Sequence, residues 1–221
     1  LKDSIQTFFT VKMRIGFESD QHFHEILDLI NSHEVTLLSL HARTVKGGYK
    51  SEVQYEYIEE AAKIANCPVL ANGNITSYLS SEKVLKETKC RGVMIGRSCI
   101  RNPWIFRQLE EQLTGKPIFA PTFKDVRTYI DDLYQLTDQS NQEERFRINY
   151  LKKFLNFIGI SIDSKGQFLY QARRCKSKAE LDFICDHYLI NEGNATKTYP
   201  LEPISGLVAR PNCEIKNTCS L

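Results

Sequence analysis

Apolar residues gather in four short runs in the first half of the chain: Thr10-Val11-Lys12-Met13-Arg14, Thr36-Leu37-Leu38-Ser39-Leu40-His41, Pro68-Val69-Leu70-Ala71-Asn72 and Gly92-Val93-Met94-Ile95-Gly96. Their starts are 26, 32 and 24 residues apart. Between them the period changes to that of a helix. Phe23, Ile26, Leu27 and Ile30 fit one apolar helical face, and Tyr57, Ile58, Ala61, Ala62 and Ala65 fit a second. Leu79, Val84 and Leu85, with a Ser80-Ser81 cap region, fit a third. Strands alternating with helices at this spacing predict βαβ units around a parallel sheet, an α/β architecture.

After Arg97 the pattern is helical. Pro103 suits the first turn of a helix that carries Trp104, Ile105, Phe106 and Leu109 to about Leu113. Gly115-Lys116-Pro117 breaks it, and the chain to Pro121 reads as a linker. Helices are then predicted over 123–139, 143–159, 165–175 and 177–190. The second carries an Ile148, Leu151, Leu155, Ile158 stripe, the mark of a small helical bundle. Residues 191–221 hold Gly, Pro, Asn and Thr without period and are expected as an extended or mobile tail. The expected organisation is therefore an α/β portion over 1–114, a helical portion over 122–190 and a tail over 191–221.

Composition narrows the function classes. At 42% hydrophobic and 25% charged residues, the 221-residue chain is not of a disordered type. Lys+Arg 29 against Asp+Glu 27 gives +2, which excludes a chain charged throughout for nucleic acid or membrane. No apolar run reaches the roughly 18 residues of a membrane span, and Leu1–Thr10 lacks the basic region and continuous apolar core of a secretory signal. The cysteines (Cys67, Cys90, Cys99, Cys175, Cys185, Cys213 and Cys219) are odd in number and include no CxxC. That argues for reduced thiols in the cytoplasm, with no disulfide framework and no metal site. The start at Leu1, with Phe8-Phe9-Thr10-Val11 running at once into a strand, reads as the continuation of a longer protein.

The small total charge hides an uneven distribution. Between Arg145 and Lys178 there are nine bases (Arg145, Arg147, Lys152, Lys153, Lys165, Arg173, Arg174, Lys176 and Lys178) and one acid, Asp163, so this stretch is +8 and the remainder −6. Phe146, Tyr150, Phe157, Phe168 and Tyr170 are interleaved with it. Such a basic, aromatic-dotted helical face is a nucleic-acid footprint. A solvated surface above core aromatics is the competing reading.

Candidate chemistry lies at the strand ends, where parallel β/α sheets bind ligands. Side chains two apart share a face, which pairs Lys12 with Arg14 and aligns Ser39, His41 and Arg43. Cations on a buried face need an anion or several acceptors, so a polar or anionic ligand is expected there. A structural salt-bridge network is the alternative, weakened because these strands contribute no acid. Asn72 can both donate and accept, Gly73 permits a tight turn, and Asn74, Thr76 or Ser77 can cap the next helix. Gly96-Arg97 suits a phosphate: glycine opens the main-chain N–H groups and arginine adds a bidentate charge.

Taken in order, Val11-Lys12-Met13-Arg14, His41-Ala42-Arg43-Thr44 followed by Tyr49, Ala71-Asn72-Gly73-Asn74-Ile75, and Val93-Met94-Ile95-Gly96-Arg97 with Asn102-Pro103-Trp104 resemble the tRNA-dihydrouridine synthase family, over about residues 8–190. The resemblance implies strands five to eight of a (β/α)8 TIM barrel that binds FMN, followed by an all-α tRNA-binding bundle. It implies that Lys12 and His41 contact the flavin, that Asn72, Gly73 and Asn74 line its ribityl and phosphate path, and that Gly96 and Arg97 hold its phosphate. Arg14, Arg43 and Tyr49 would meet the target uridine or the tRNA backbone, and Arg145, Arg147, Lys152, Lys153, Arg173 and Arg174 the tRNA. The implied reaction is NADPH- and FMN-dependent reduction of uridine to 5,6-dihydrouridine, by a protein that is monomeric at full length. The base leaves its stack to reach the flavin.

The sequence also departs from the family. The family's proton-donor cysteine lies in the first half-barrel, and no position here matches it, so it is expected upstream of Leu1. Cys67 precedes a strand and Cys99 follows the phosphate loop. Ala42 stands where glycine is usual, Asn74 where aspartate is common, and Val45-Lys46-Gly47-Gly48 precedes Tyr49. This stretch by itself is therefore expected to bind FMN weakly or not at all and to reduce no uridine. A catalytically silent tRNA-binding fragment and another FMN- or phosphate-binding β/α-barrel oxidoreductase are the alternatives.

Overall fold

The four apolar runs become four strands: β1 (Thr10–Arg14), β2 (Leu37–His41), β3 (Val69–Asn72) and β4 (Gly92–Met94). They appear in a computed structural model that describes residues 4, 7–138 and 143–210. The strands form one sheet in the order β1-β2-β3-β4, with every pairing parallel. The connections are the helices α1 (Phe23–Ser32), α2 (Tyr55–Ile64) and α3 (Tyr78–Thr88). Alternation decides the faces. Leu38, Leu40 and Ala42 are wholly buried with Val69 and Ala71, packed with Phe23, Leu27, Ile30, Ile58, Ala61 and Val84 of the helices. Of the capping candidates before α3, Ser77 is the one used. Its hydroxyl accepts from the Ser80 N–H, Ser80 returns the bond, and the helix stops at Lys89 in the left-handed conformation. This reciprocal box satisfies two donors that would otherwise be orphaned at the helix start.

The chain divides into two compact units, one through Gly96 and the other from Arg97. The second holds α4 (Arg97–Arg101), α5 (Ile105–Leu113), α6 (Phe123–Leu136), α7 (Glu144–Ile158), α8 (Gln167–Ala172) and α9 (Lys178–Leu189). Ile148, Leu151, Leu155 and Ile158 of α7 are at most 1% exposed and centre the core of this unit. A capping box from Thr122 and Asp125 starts α6. Asp163, the single acid of the basic stretch, starts α8 by accepting the N–H groups of Gln167 and Phe168.

Three boundaries differ from the sequence expectation. Residues 97–113 cluster with the helices rather than with the sheet. Tyr129 donates to the Ile100 carbonyl, Asn102 to Gln108, and Gln108 to the Phe119 carbonyl. The Trp104 ring lies 5.9 Å from Phe119 and 6.0 Å from Tyr129. Pro103 sits in the turn just before α5 rather than within its first turn. Residues 191–210, expected as a tail, are built into the helical unit. A 3-10 turn covers Asn191–Thr196, Thr198 bridges to Thr122, and the 3% exposed Tyr199 donates to the Ile158 carbonyl. Buried Arg101 donates to Ser161 and to the carbonyls of Pro200 and Leu201, which fixes this segment from beneath. Residue 139 of the expected helix and 211–221 of the expected tail lie outside the described residues.

Candidate functional site

The register of the sheet assembles the site. Arg14 faces His41, His41 faces Asn72, and Asn72 faces Met94. One step nearer the strand starts, Lys12 faces Ser39, Ser39 faces Leu70, and Leu70 faces Gly92. Partners in a parallel ladder point to one side. These two rows therefore share the face opposite the apolar core, at the C-terminal end of the sheet. They contain two cations, a histidine, an amide and a hydroxyl, and no carboxylate.

The polar groups are held in place. Ser39 is 2% exposed, His41 5% and Arg43 3%. Ser39 donates to the Met94 sulfur at 3.1 Å. Asn72 donates one Nδ2–H to the Met94 carbonyl at 2.7 Å, which leaves its oxygen and its second N–H to present. Arg14 donates to the Thr44 carbonyl at 2.8 Å. Lys12 is exposed and makes no ion pair among the described residues.

Arg43 corrects an expectation. It lies beyond the end of β2 and is buried; its Nε donates to the Ser51 carbonyl at 2.7 Å and its Nη1 lies 3.5 Å from His41 Nε2. It braces His41 and closes the loop over 44–51, and so gives no open surface to a tRNA backbone. Tyr49 in that loop is 41% exposed, its ring 6.4 Å from His41. Gly73 has φ +126°, and a Cβ there would come within 3.1 Å of the His41 ring and 3.2 Å of the Val53 methyls, so only glycine fits this turn. Its carbonyl accepts from Tyr55 at 2.7 Å. Asn74 leaves the strand row altogether: exposed at φ 48°, it forms the turn toward α3. Gly96 closes the first unit with nothing within 4 Å of where a Cβ would stand, and Arg97 opens α4 in the second.

Ser39, Tyr55 and Met94 belong to the site but were not among the sequence candidates for binding. Ser39 was visible only as the residue between two leucines on the His41 side. Tyr55 sits at a helix start, and burial raises its phenol pKa. Burial pushes up the thiols of Cys67, ahead of the start of β3, and of Cys99, in α4, the opposite of a reactive cysteine. Among the described residues Cys67, Cys90, Cys99, Cys175 and Cys185 form no disulfide, while Cys213 and Cys219 lie outside them.

In the helical unit the basic stretch separates into two groups. Arg147 stacks 4.1 Å from the Tyr134 ring, donates to the Tyr134 carbonyl and pairs with Asp138 at 3.4 Å. Arg173 donates to Asn156 and to the carbonyls of Val208 and Ala209. Both were expected on tRNA; instead they join parts of the unit to one another. Arg145, Lys153 and Arg174 are exposed and Lys152 half-buried. Arg174 lies 3.6 Å from the Tyr170 ring centroid and Lys153 5.2 Å from that of Tyr150. Among the described residues no helix is long and apolar enough to cross a membrane.

Residues 1–190 match the family described as Dihydrouridine synthase (Dus). A "Probable tRNA-dihydrouridine synthase" of Aquifex aeolicus is 37% identical over 135 residues, 61% of this chain and 42% of the relative. A "tRNA-dihydrouridine(16) synthase" of Neisseria meningitidis is 26% identical over 172 residues, 78% of this chain and 52% of the relative. A "Probable tRNA-dihydrouridine synthase" of Helicobacter pylori is 39% identical over 109 residues, 49% of this chain and 33% of the relative. The chain thus spans about a third to a half of the length of these relatives.

Proposed function

Because the chain belongs to the dihydrouridine synthase family, we propose that it supplies the flavin-phosphate half and the RNA-binding helices of an enzyme that reduces uridine to 5,6-dihydrouridine in tRNA. The observation that carries this reading is the acid-free polar face across the C-terminal ends of four parallel strands. In β/α barrels that end of the sheet is where ligands bind. On this reading the sheet is the second half of a (β/α)8 barrel, and helices α6–α9 are the bundle that follows it.

The donor set fits flavin mononucleotide. Cations and amides without a carboxylate suit a phosphate and an electron-rich ring. Lys12, His41, Asn72 and Gly73 are the proposed holders along the ring and ribityl chain, and Gly96 and Arg97 at the phosphate, with Asn74 at the edge. When bound, the flavin supplies hydride transfer, with NADPH as the proposed reductant. The chain's own part is electrostatic and positional. Lys12 sets a positive charge where reduced flavin accumulates negative charge, and Arg43 through His41 keeps the imidazole oriented. Arg14 and Tyr49 are the proposed contacts to the uridine. Arg145, Lys152, Lys153 and Arg174 are the proposed contacts to tRNA phosphates, in the cytoplasm and in a protein acting as a monomer. Among the described cysteines none stands at a strand's C-terminal end: Cys67 and Cys90 precede β3 and β4, and Cys99, Cys175 and Cys185 lie in the helical unit, so none of them is proposed as the proton donor to the base.

The test is genetic and chemical. Deleting the coding sequence from its host and digesting total tRNA for mass spectrometry should show loss of dihydrouridine at one or a few positions. The wild-type gene should restore it. Unchanged dihydrouridine after deletion contradicts the proposal, and tRNA binding without any effect on dihydrouridine favours a silent binding protein.

A further inference from the structure

One feature of the helical unit takes no part in the flavin reading: an open groove of about 510 Å³ between α8 and α9, lined by Tyr170, Arg174, Cys175, Ala179, Phe183 and Ile184. Its size is that of a small-molecule site. Phe183 is 74% exposed and Tyr170 52%, large rings left in water on the same wall system. Arg174 stacks on Tyr170 at 3.6 Å and donates to its carbonyl, so the guanidinium is held in position. The one carboxylate that lines the groove, Glu180, accepts the Lys176 N–H at 2.7 Å at the start of α9. Lys176 itself is exposed beside it.

We propose that this groove receives an unpaired nucleobase of the bound RNA, stacked against Phe183, with the flanking phosphates on Arg174 and Lys176. The proposal rests on the tRNA reading above and adds to it a recognition mode. Charge decides between occupants. Arg174 lines the groove and Lys176 stands beside it, the one lining carboxylate, Glu180, is engaged by the Lys176 N–H, and Asp182 and Asp186 of α9 are paired with Arg127, so a second copy of the chain would bring like charge against like. An unpaired base in RNA offers a π-face to the exposed ring and phosphates to the cations.

The experiment measures binding of the 221-residue chain to a tRNA transcript and to a fully paired RNA duplex of similar length, each across a salt titration. Phe183 is exposed, so Phe183→Ala should leave the thermal midpoint unmoved. It should weaken tRNA binding by roughly ten-fold, in line with loss of one stacked base, without changing the salt slope and with duplex binding within about two-fold of wild type. Phe183→Trp should restore the affinity. If Phe183→Ala binds tRNA as wild type does, or weakens tRNA and duplex alike, the groove does not take a base, although the tRNA reading stands. If Phe183→Ala instead alters only self-association in sedimentation, the occupant is a second copy and the proposal is overturned. If the wild-type chain binds neither RNA, the tRNA reading itself fails and the groove proposal with it.

Discussion

The sheet unit and the helical unit both carry arginine and lysine where an anion would be welcome, yet they use these residues differently. On the sheet, Lys12, Arg14 and His41 stand in adjacent rows on one face with no carboxylate among them. Of these, Lys12 is exposed and open to whatever binds there. In the helical unit Arg101, Arg127, Arg147 and Arg173 are turned inward. Arg127, for example, meets Asp131, Asp182 and Asp186 at 2.5–2.8 Å. Counting bases along a sequence treats these two uses alike; burial and acceptor type separate them.

The sharpest way to break the comparison is at Arg101. If the inward arginines hold the helical unit together, Arg101→Met leaves the Pro200 and Leu201 carbonyls and Ser161 without their donor. At roughly 1–3 kcal/mol for each buried group left unpaired, the loss should be about 3–5 kcal/mol, read as a lower urea midpoint. A smaller effect is expected at Arg173, whose fork is half-buried. Arg173→Ala should lower stability by about 1–3 kcal/mol and speed proteolysis within 201–210, the segment it fastens.

The outward cations should behave in the opposite way. Lys153→Ala should change stability by less than about 0.5 kcal/mol, while reducing the salt slope of tRNA binding by about one. A loss of stability there would mean that the exposed group is structural too. The smallest effect expected is a pH effect in the sheet unit. The Tyr57 hydroxyl hydrogen-bonds the Asp20 carboxylate and holds its pKa below the ordinary value, while the same contact raises Tyr57 to about 12. A depressed carboxyl contributes stability above its unfolded pKa of about 4, and that contribution fades as pH falls through the lower folded value. Tyr57→Phe should therefore lose that small contribution at neutral pH and flatten the acid limb of the stability curve below about pH 4, where variant and wild type converge.

Much of the sheet unit was legible because its signals are periodic and local. Leu38 and Leu40 against Ser39 and His41 is a literal alternation, and it carried both the strand and the face that the polar side chains share. The run from Ile148 to Ile158 was legible for the same reason at helical spacing. What could not be read depends on main-chain partners. The carbonyls of Ile100, Tyr134, Pro200, Leu201, Val208 and Ala209 carry no mark in the sequence, yet they decide that residues 97–113 and 191–210 belong with the helices and that Arg147 and Arg173 face inward. Arg43 was misjudged in the same way, since its acceptor is the carbonyl of Ser51 in a loop whose path no periodicity reveals. Tyr199 is a single buried aromatic in an aperiodic stretch, so nothing distinguished it from a tail residue until its contacts were known.

The claim that the acid-free face of the sheet carries the reaction is tested most directly at Lys12, which is exposed and makes no ion pair among the described residues. A host whose own gene encodes Lys12→Ala should lose most of the dihydrouridine that deletion of the gene removes, at least ten-fold, while the purified protein unfolds at the wild-type midpoint. Wild-type dihydrouridine levels in that strain would contradict the account.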